Sequence, residues 1–241
     1  MDNHVILLRF NIFSEKYLNI GQLTREKMYE GNPSWLDTRL EWFDKYLLEN
    51  LKNQKDMGFW CFLLSDPETP QHYKNQLKNY EKLGFIKVVE TYDDDIPKMN
   101  NKILETYKSI KKNNSNEIFC SRLDSDDMVG PYWNNVVKQL LEDNKRISLE
   151  TVLLYNFINK EKRIIKFHKG SFVSTKSTLN KFDSPRSFAH GDANAAEIDS
   201  DYPLVCMGIH NNNVTNHNWW PAGRAYHLNE GEFDQMFKIK E

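Results

Sequence analysis

Alternating strand-like and helix-like stretches through the first 130 residues predict an α/β protein. Its central sheet is expected to be mostly parallel and Rossmann-like, flanked by helices. Two more observations refine that class. A β-prone run, Glu117–Leu123, passes without a spacer into Asp124-Ser125-Asp126-Asp127, and a helical pattern begins soon after Gly130-Pro131. The carboxylates are thus expected on a strand-to-helix turn, the edge at which open α/β sheets bind ligands. Beyond residue 130 the alternation fades into hairpin-like and irregular polar sequence, which predicts a smaller antiparallel or irregular C-terminal part. At 241 residues the chain is sized for a single domain.

The first strand is expected over His4–Phe13, rich in Val, Ile, Leu and Phe. Arg9 and Asn11 interrupt it on one face near its carboxyl end. Two roles fit Arg9: contact with a phosphate or base edge, or an internal salt bridge. Asn11 has the donors and acceptor to meet a base or ribose. Residues 14–32 are polar, with Gly21 and Gly31-Asn32-Pro33 as breakers, and read as a loop able to fold over a ligand. From Pro33, Leu36, Leu40, Phe43, Leu47 and Leu51 recur at helical spacing, with Asn32 or Ser34 as the cap. Trp35 and Arg39 fall one turn apart near its start.

Gly58–Ser65 reads as a second buried strand running into Asp66-Pro67. Asp66 is therefore either a ligand contact at the sheet edge or the former of the turn. A helix from near Thr69 turns Tyr73, Leu77 and Tyr80 to one face and closes at Gly84. Phe85–Thr91 is a third strand, followed by a solvated acidic loop. Pro97–Lys112 is a helix with Met99, Ile103, Tyr107 and Ile110 inward. The fourth strand carries the acidic cluster, and Trp133, Val136, Val137, Leu140 and Leu141 mark the next helix. Ser148–Ile158 and Arg163–Lys169 read as a hairpin, with Phe172–Lys176 as a further strand. The lysines between 160 and 169 either discourage edge-to-edge aggregation or attract a phosphorylated or membrane-bound acceptor. The polar stretch 184–218 contains one short apolar strand, Leu204–Ile209, ending at His210. Trp219, Trp220 and Tyr226 offer an aromatic platform or a packed cluster.

Composition excludes several classes. A net charge of −2 lacks the basic excess of a general nucleic-acid binder. Cys61, Cys120 and Cys206 stand far apart with no Cys-x-x-Cys spacing, so they read as reduced core residues, and a cytoplasmic location is expected. No apolar run is long enough to span a bilayer, and the N-terminus does not read as a signal peptide. A lipid-linked acceptor would have to be reached from the inner face of the membrane, by peripheral contact. An EF-hand is excluded because Met128 occupies a position that needs an oxygen ligand.

Three like charges within four residues repel unless a divalent cation or sugar hydroxyls engage them. The cluster, preceded by Ser121-Arg122, resembles the Asp-x-Asp signature of GT-A glycosyltransferases. Arg-Leu-Asp-Ser-Asp-Asp, with Leu8-Arg9-Phe10-Asn11 and Trp35-x-x-x-Arg39-x-x-x-Phe43, is similar more narrowly to the rhamnosyltransferase family of surface-glycan clusters. That resemblance implies a GT-A-like fold, with 1–130 as a nucleotide-binding half and 131–241 as an acceptor-side half. It implies transfer of a sugar, with rhamnose as the family's sugar, from a nucleoside-diphosphate sugar to a glycan or lipid-linked saccharide, with inversion. Arg9, Asn11, Arg39, Asp66, Arg122 and Asp124 are then expected around the donor. Asp126, Asp124 and His210 are expected to hold Mn2+ or Mg2+, which suit oxygen-rich sites without thiolates. His217 and His227 rank behind His210. An inverting transfer needs a base, and Asp192 and Glu197 are candidates by location. Two other classes share some of these features. A sugar-phosphate nucleotidyltransferase would carry a glycine-rich loop after the first strand, which Arg9–Phe13 lacks. A non-catalytic carbohydrate-binding protein is the other.

Overall fold

The computed structural model describes residues 3–12, 24–31, 33–92, 95–166, 172–187, 194–210, 224–225 and 230–240. Asp192, His217, His227, Trp219, Trp220 and Tyr226 lie outside them. The chain groups into two compact units whose segments alternate along the sequence: Met1–Leu40, Gly58–Ser125 and Ser174–Ala189 form one, and Glu41–Met57, Asp126–Val173 and His190–Glu241 the other.

The first unit has the expected mostly parallel α/β layout. Its strands are β1 (His4–Arg9), β2 (Phe59–Ser65), β3 (Ile86–Glu90), β4 (Glu117–Asp124) and β9 (Val173–Thr178). They lie in the order β9-β4-β1-β2-β3, with β4, β1, β2 and β3 parallel and β9 antiparallel to β4. Every residue of β2 is buried, as befits a parallel strand covered on both faces. Met99, Ile103 and Tyr107 of α5 (Ile96–Ile110) pack with Val5, Leu7, Phe62, Leu64, Ile118 and Cys120 in one apolar cluster. Asp95 caps α5, its side chain accepting from the Lys98 N–H at 3.0 Å. Gly84, at φ +81°, closes the short 3-10 turn after α4 (Gln71–Tyr80), a conformation in which a Cβ would be strained.

Local signals placed these elements well, with shifts at their ends. The expected helix from Thr69 begins at Gln71, because the Thr69 hydroxyl donates to the Asp66 carbonyl at 2.6 Å. The expected loop 14–32 contains a short helix, α1 (Arg25–Tyr29), capped by Thr24. The helix after Pro33 runs as α2 (Trp35–Trp42), a π-helical stretch Phe43–Leu47 and α3 (Leu48–Lys52). Ser34 is its cap: its Oγ accepts from the Asp37 N–H at 3.0 Å, and Asp37 accepts from the Ser34 N–H at 2.9 Å.

The second unit carries a five-stranded sheet in the order β12-β8-β7-β11-β5. Its strands are β5 (Met128–Val129), β7 (Thr151–Asn156), β8 (Lys162–Lys166), β11 (Val205–Ile209) and β12 (Arg224–Ala225). Beside α6 (Trp133–Asp143) stands a parallel pair, β6 (Arg146–Leu149) with β10 (Ala196–Ile198). The run Ser148–Ile158, expected as a single hairpin arm, is instead split at Glu150. That residue is buried and donates its N–H to the Ile198 carbonyl at 2.9 Å, so β6 pairs with β10 while β7 pairs with β8 and β11. The expected strand-to-helix turn after Asp127 likewise includes β5, antiparallel to β11, before α6 begins. Tyr46, Met128, Leu153, Tyr155, Phe157, Cys206, Phe233 and Phe237 form the unit's core, the last two from α7 (Glu230–Met236) and the segment after it.

Candidate functional site

In the first unit, the polar residues at the carboxyl ends of β1, β2 and β4 come together as parallel pairing requires. Arg9 lies opposite Asp124 in the β1–β4 register, and its guanidinium stands 3.5 Å from the Asp124 carboxylate. The internal ion pair is therefore formed, yet side chains 27% and 38% exposed leave both groups open to water and to a ligand. Asn11 is buried: its amide donates to the Thr69 hydroxyl at 2.7 Å and more weakly to the Tyr29 hydroxyl at 3.4 Å. Its Oδ1 is buried with no hydrogen-bond partner among the described residues, an acceptor whose desolvation is uncompensated. Asp66 is fully buried and accepts from the Glu68 N–H at 2.7 Å, the turn-forming role. Arg39 stacks its guanidinium over Trp35, 5.0 Å from the ring centroid, one helical turn away. Arg122 is buried on β4.

In the second unit, Asp126 and His210 meet although 84 residues separate them. His210 Nε2 lies 2.9 Å from Asp126 Oδ2, and the side chains are 3% and 4% exposed. The imidazole packs against two aromatic rings that also touch each other: Trp42 at 3.7 Å between centroids and Phe157 at 5.6 Å, with 5.8 Å between those two. Phe157 in turn stacks on Tyr46 at 3.9 Å. The backbone of Asp126 is packed as closely. A Cβ placed on Gly208 of β11 would stand 2.4 Å from the Asp126 carbonyl oxygen and 2.4 Å from Phe157 Cζ. Glycine at 208 thus lets Asp126 sit where it does.

Among the described residues, no group of three His, Cys, Asp or Glu side chains is arranged to hold a metal ion. Of the expected ligands Asp126, Asp124 and His210, Asp126 pairs with His210 in the second unit, and Asp124 engages Arg9 in the first. A carboxylate oxygen and an imidazole nitrogen still fit Mn2+ or Mg2+, ions that commonly complete their shells with water and substrate phosphate oxygens. Glu197 is exposed in the middle of β10, opposite Ser148. Sequence patterning missed Trp42, Phe157, Thr69 and Gly208. Only Gly208 carried a signal, since a lone glycine inside an apolar strand marks a close backbone approach.

Residues 3–176 match the model of the family described as "Putative rhamnosyl transferase". The chain belongs to that family. The match includes Arg9, Asn11, Arg39, Asp66, Arg122, Asp124 and Asp126, and it ends before Asp192, Glu197 and His210. Among solved structures the chain is similar to S. aureus TarS 1-349, with 12% identity, a TM-score of 0.43, and coverage of 86% of this chain and 60% of that one. The same TarS fragment in complex with UDP gives 14% identity, a TM-score of 0.43, and coverage of 87% and 61%. A "putative nucleotide-diphospho-sugar transferase" from Desulfovibrio desulfuricans G20 gives 8% identity, a TM-score of 0.38, and coverage of 98% and 92%. The chain thus spans about 60% of the length of the TarS fragment. No curated protein sequence matches it. Among the described residues, no helix is long and apolar enough to cross a membrane.

Proposed function

We propose that this member of the family is a metal-dependent glycosyltransferase with a GT-A-like fold. It moves a sugar, with rhamnose as the family's namesake, from a nucleoside-diphosphate donor to a hydroxyl of a glycan or lipid-linked saccharide in surface polysaccharide synthesis, with inversion. The observation that carries this reading is the buried Asp126–His210 pair, which begins two residues after the Asp124 that Arg9 engages. Asp124 and Asp126 are separated in the chain by Ser125 alone, the Asp-x-Asp spacing of the glycosyltransferase signature that the cluster resembles. Within the first unit, the buried Asn11 Oδ1 is suited to accept from a base N–H or ribose hydroxyl, beside Thr69 and Asp66.

Departure of a nucleoside diphosphate builds negative charge on the leaving phosphates. Arg9 supplies a guanidinium at the end of β1 for that charge, and Arg122, opposite Leu7 on the neighbouring β4, is a second cation. Asp126 and His210 would hold Mn2+ or Mg2+, which supplies Lewis-acid stabilisation of the diphosphate. Asp124 orients Arg9 and meets the ribose. The base that takes the acceptor proton is assigned to Asp192 or Glu197. Three buried free cysteines agree with a reducing, cytoplasmic compartment.

The test is incubation of the full chain with a panel of nucleotide-sugars and Mn2+, reading released nucleoside diphosphate. Asp126→Asn should lower turnover by about 100-fold to 1,000-fold, the scale for loss of one electrostatic group. Undiminished turnover in Asp126→Asn, or none with any donor, overturns the proposal. Release of pyrophosphate would instead indicate nucleotidyl transfer, and saccharide binding without turnover a carbohydrate-binding role.

A further inference from the structure

The second unit gathers lysines that no carboxylate among the described residues answers with an ion pair. Lys160 sits in the β7–β8 turn at φ +62°, a backbone conformation that favours glycine. Its Nζ is tied to the Phe157 carbonyl at 2.8 Å and stands 5.7 Å from the centre of the Tyr155 ring. Lys162 approaches the same ring at 5.9 Å and Phe233 at 4.8 Å. Burial, and after it the charge of Lys45, which stands 5.9 Å from the Tyr46 ring, lowers the pKa of Lys160. The C-terminal segment adds two more. Lys240 donates its N–H to the Lys45 carbonyl at 2.9 Å, and Asn50 clamps Lys238 through both backbone groups, at 2.7 and 2.8 Å. The tail and α3 line a groove of about 360 Å³ containing Lys52, Lys238 and Lys240. Glu49 in that groove is already paired with Lys52 at 2.9 Å, and Glu161, exposed in the turn, is the acid next to Lys160 in sequence.

Surface lysines usually alternate with acids, or extend separately into water. Here Lys160 and Lys162 both approach the Tyr155 ring and Lys45 lies near enough to act on Lys160, an arrangement of like charges that an incoming anion relieves. We propose that the rim formed by Lys45, Lys160 and Lys162, continued by Lys238 and Lys240, is a binding site for phosphate anions. The ligand is the phosphodiester or diphosphate of an anionic lipid surface or of a phosphate-bearing acceptor. This deepens the acceptor side of the proposed transfer and rests on it for the acceptor's role, but binding is measured separately from turnover.

The experiment is flotation of the full chain with vesicles of phosphatidylcholine alone and with about one-third phosphatidylglycerol, alongside titration with inorganic pyrophosphate. Wild type should float with the anionic vesicles only. Lys160→Gly removes the charge while giving the left-handed position its favoured residue, so its melting temperature should equal or exceed that of wild type. Each lysine removed should weaken vesicle binding about 5-fold, and the Lys45→Ala/Lys160→Gly pair about 30-fold. Displacement from vesicles by pyrophosphate assigns the site to discrete phosphate groups; salt-sensitive flotation without displacement assigns it to the extended lipid surface. Equal flotation with neutral and anionic vesicles, failure of wild type to bind either probe, or a double variant that binds like wild type overturns the proposal. Asp126→Asn should still float. Donor turnover by a wild type that binds neither probe would sink this inference alone, and flotation without turnover would sink the transfer reading alone.

Discussion

Gly208→Ala is a test of how tightly Asp126 is held. The new methyl would stand 2.4 Å from the Asp126 carbonyl oxygen and from Phe157 Cζ, and 3.0 Å from Phe157 Cε1. A carbon and an oxygen settle at about 3.3 Å or more, so something must yield by roughly 1 Å. Neither neighbour is a flexible side-chain end. One is backbone, and the other is a buried ring stacked on Tyr46 at 3.9 Å and edge-on to Trp42 at 5.8 Å. Overpacking of this kind costs about 1–3 kcal/mol. In a chain of this size each kcal/mol lowers Tm by about 2–4 °C, so a cost near 2 kcal/mol predicts a fall of about 4–8 °C by circular dichroism. Displacing Asp126 by about 1 Å should also reduce donor turnover by about 100-fold. Gly130→Ala is the control, because its added Cβ meets nothing closer than the Leu204 carbonyl at 3.6 Å. A Gly208→Ala protein that melts with the Gly130→Ala protein would refute the close approach.

Two further outcomes follow from local chemistry. The Ser34 N–H, and then the Ser34 and Tyr73 hydroxyls, hold the Asp37 carboxyl below its ordinary pKa against the opposing effect of burial. A carboxylate with a depressed folded-state pKa adds stability that is complete above its unfolded value, near 3.9, and lost as pH falls through the folded one. The urea midpoint of wild type should therefore exceed that of Asp37→Asn by a constant margin from pH 8 to 5, and the margin should shrink below pH 4; a gap as wide at pH 3 as at pH 7 would contradict the capping geometry. Cys61, Cys120 and Cys206 are buried, and burial raises the pKa of each thiol. Ellman's reagent should leave the native chain unlabelled and titrate all three thiols in denaturant, whereas fast native labelling would disprove that burial.

Much of the α/β frame was legible because its signals are local. Unbroken apolar runs marked β2 and β4, a 3.6-residue period marked α5, and Ser34, Asp95 and Gly84 fixed helix ends through bonds to residues at most four positions away. The place of Asp124 at the end of β4 follows from the same kind of pattern. Misplaced features were those decided by distant partners. The apolar run around Glu150 looks continuous from within, and it divides because Ile198 claims the Glu150 N–H.

The sequence by itself determined the order of strands and helices in the first unit, the strand-end position of the acidic cluster, and the burial of the three cysteines, since each depends on neighbours a few residues away. Only the tertiary structure decided that Asp124 turns to Arg9, that Asp126 is hydrogen-bonded to His210 beside Trp42, and that Gly208 must lack a side chain. Those contacts join residues 51 to 168 positions apart, with 115 between Arg9 and Asp124. No periodicity carries such pairings, because they are set by which strands lie side by side and in what register.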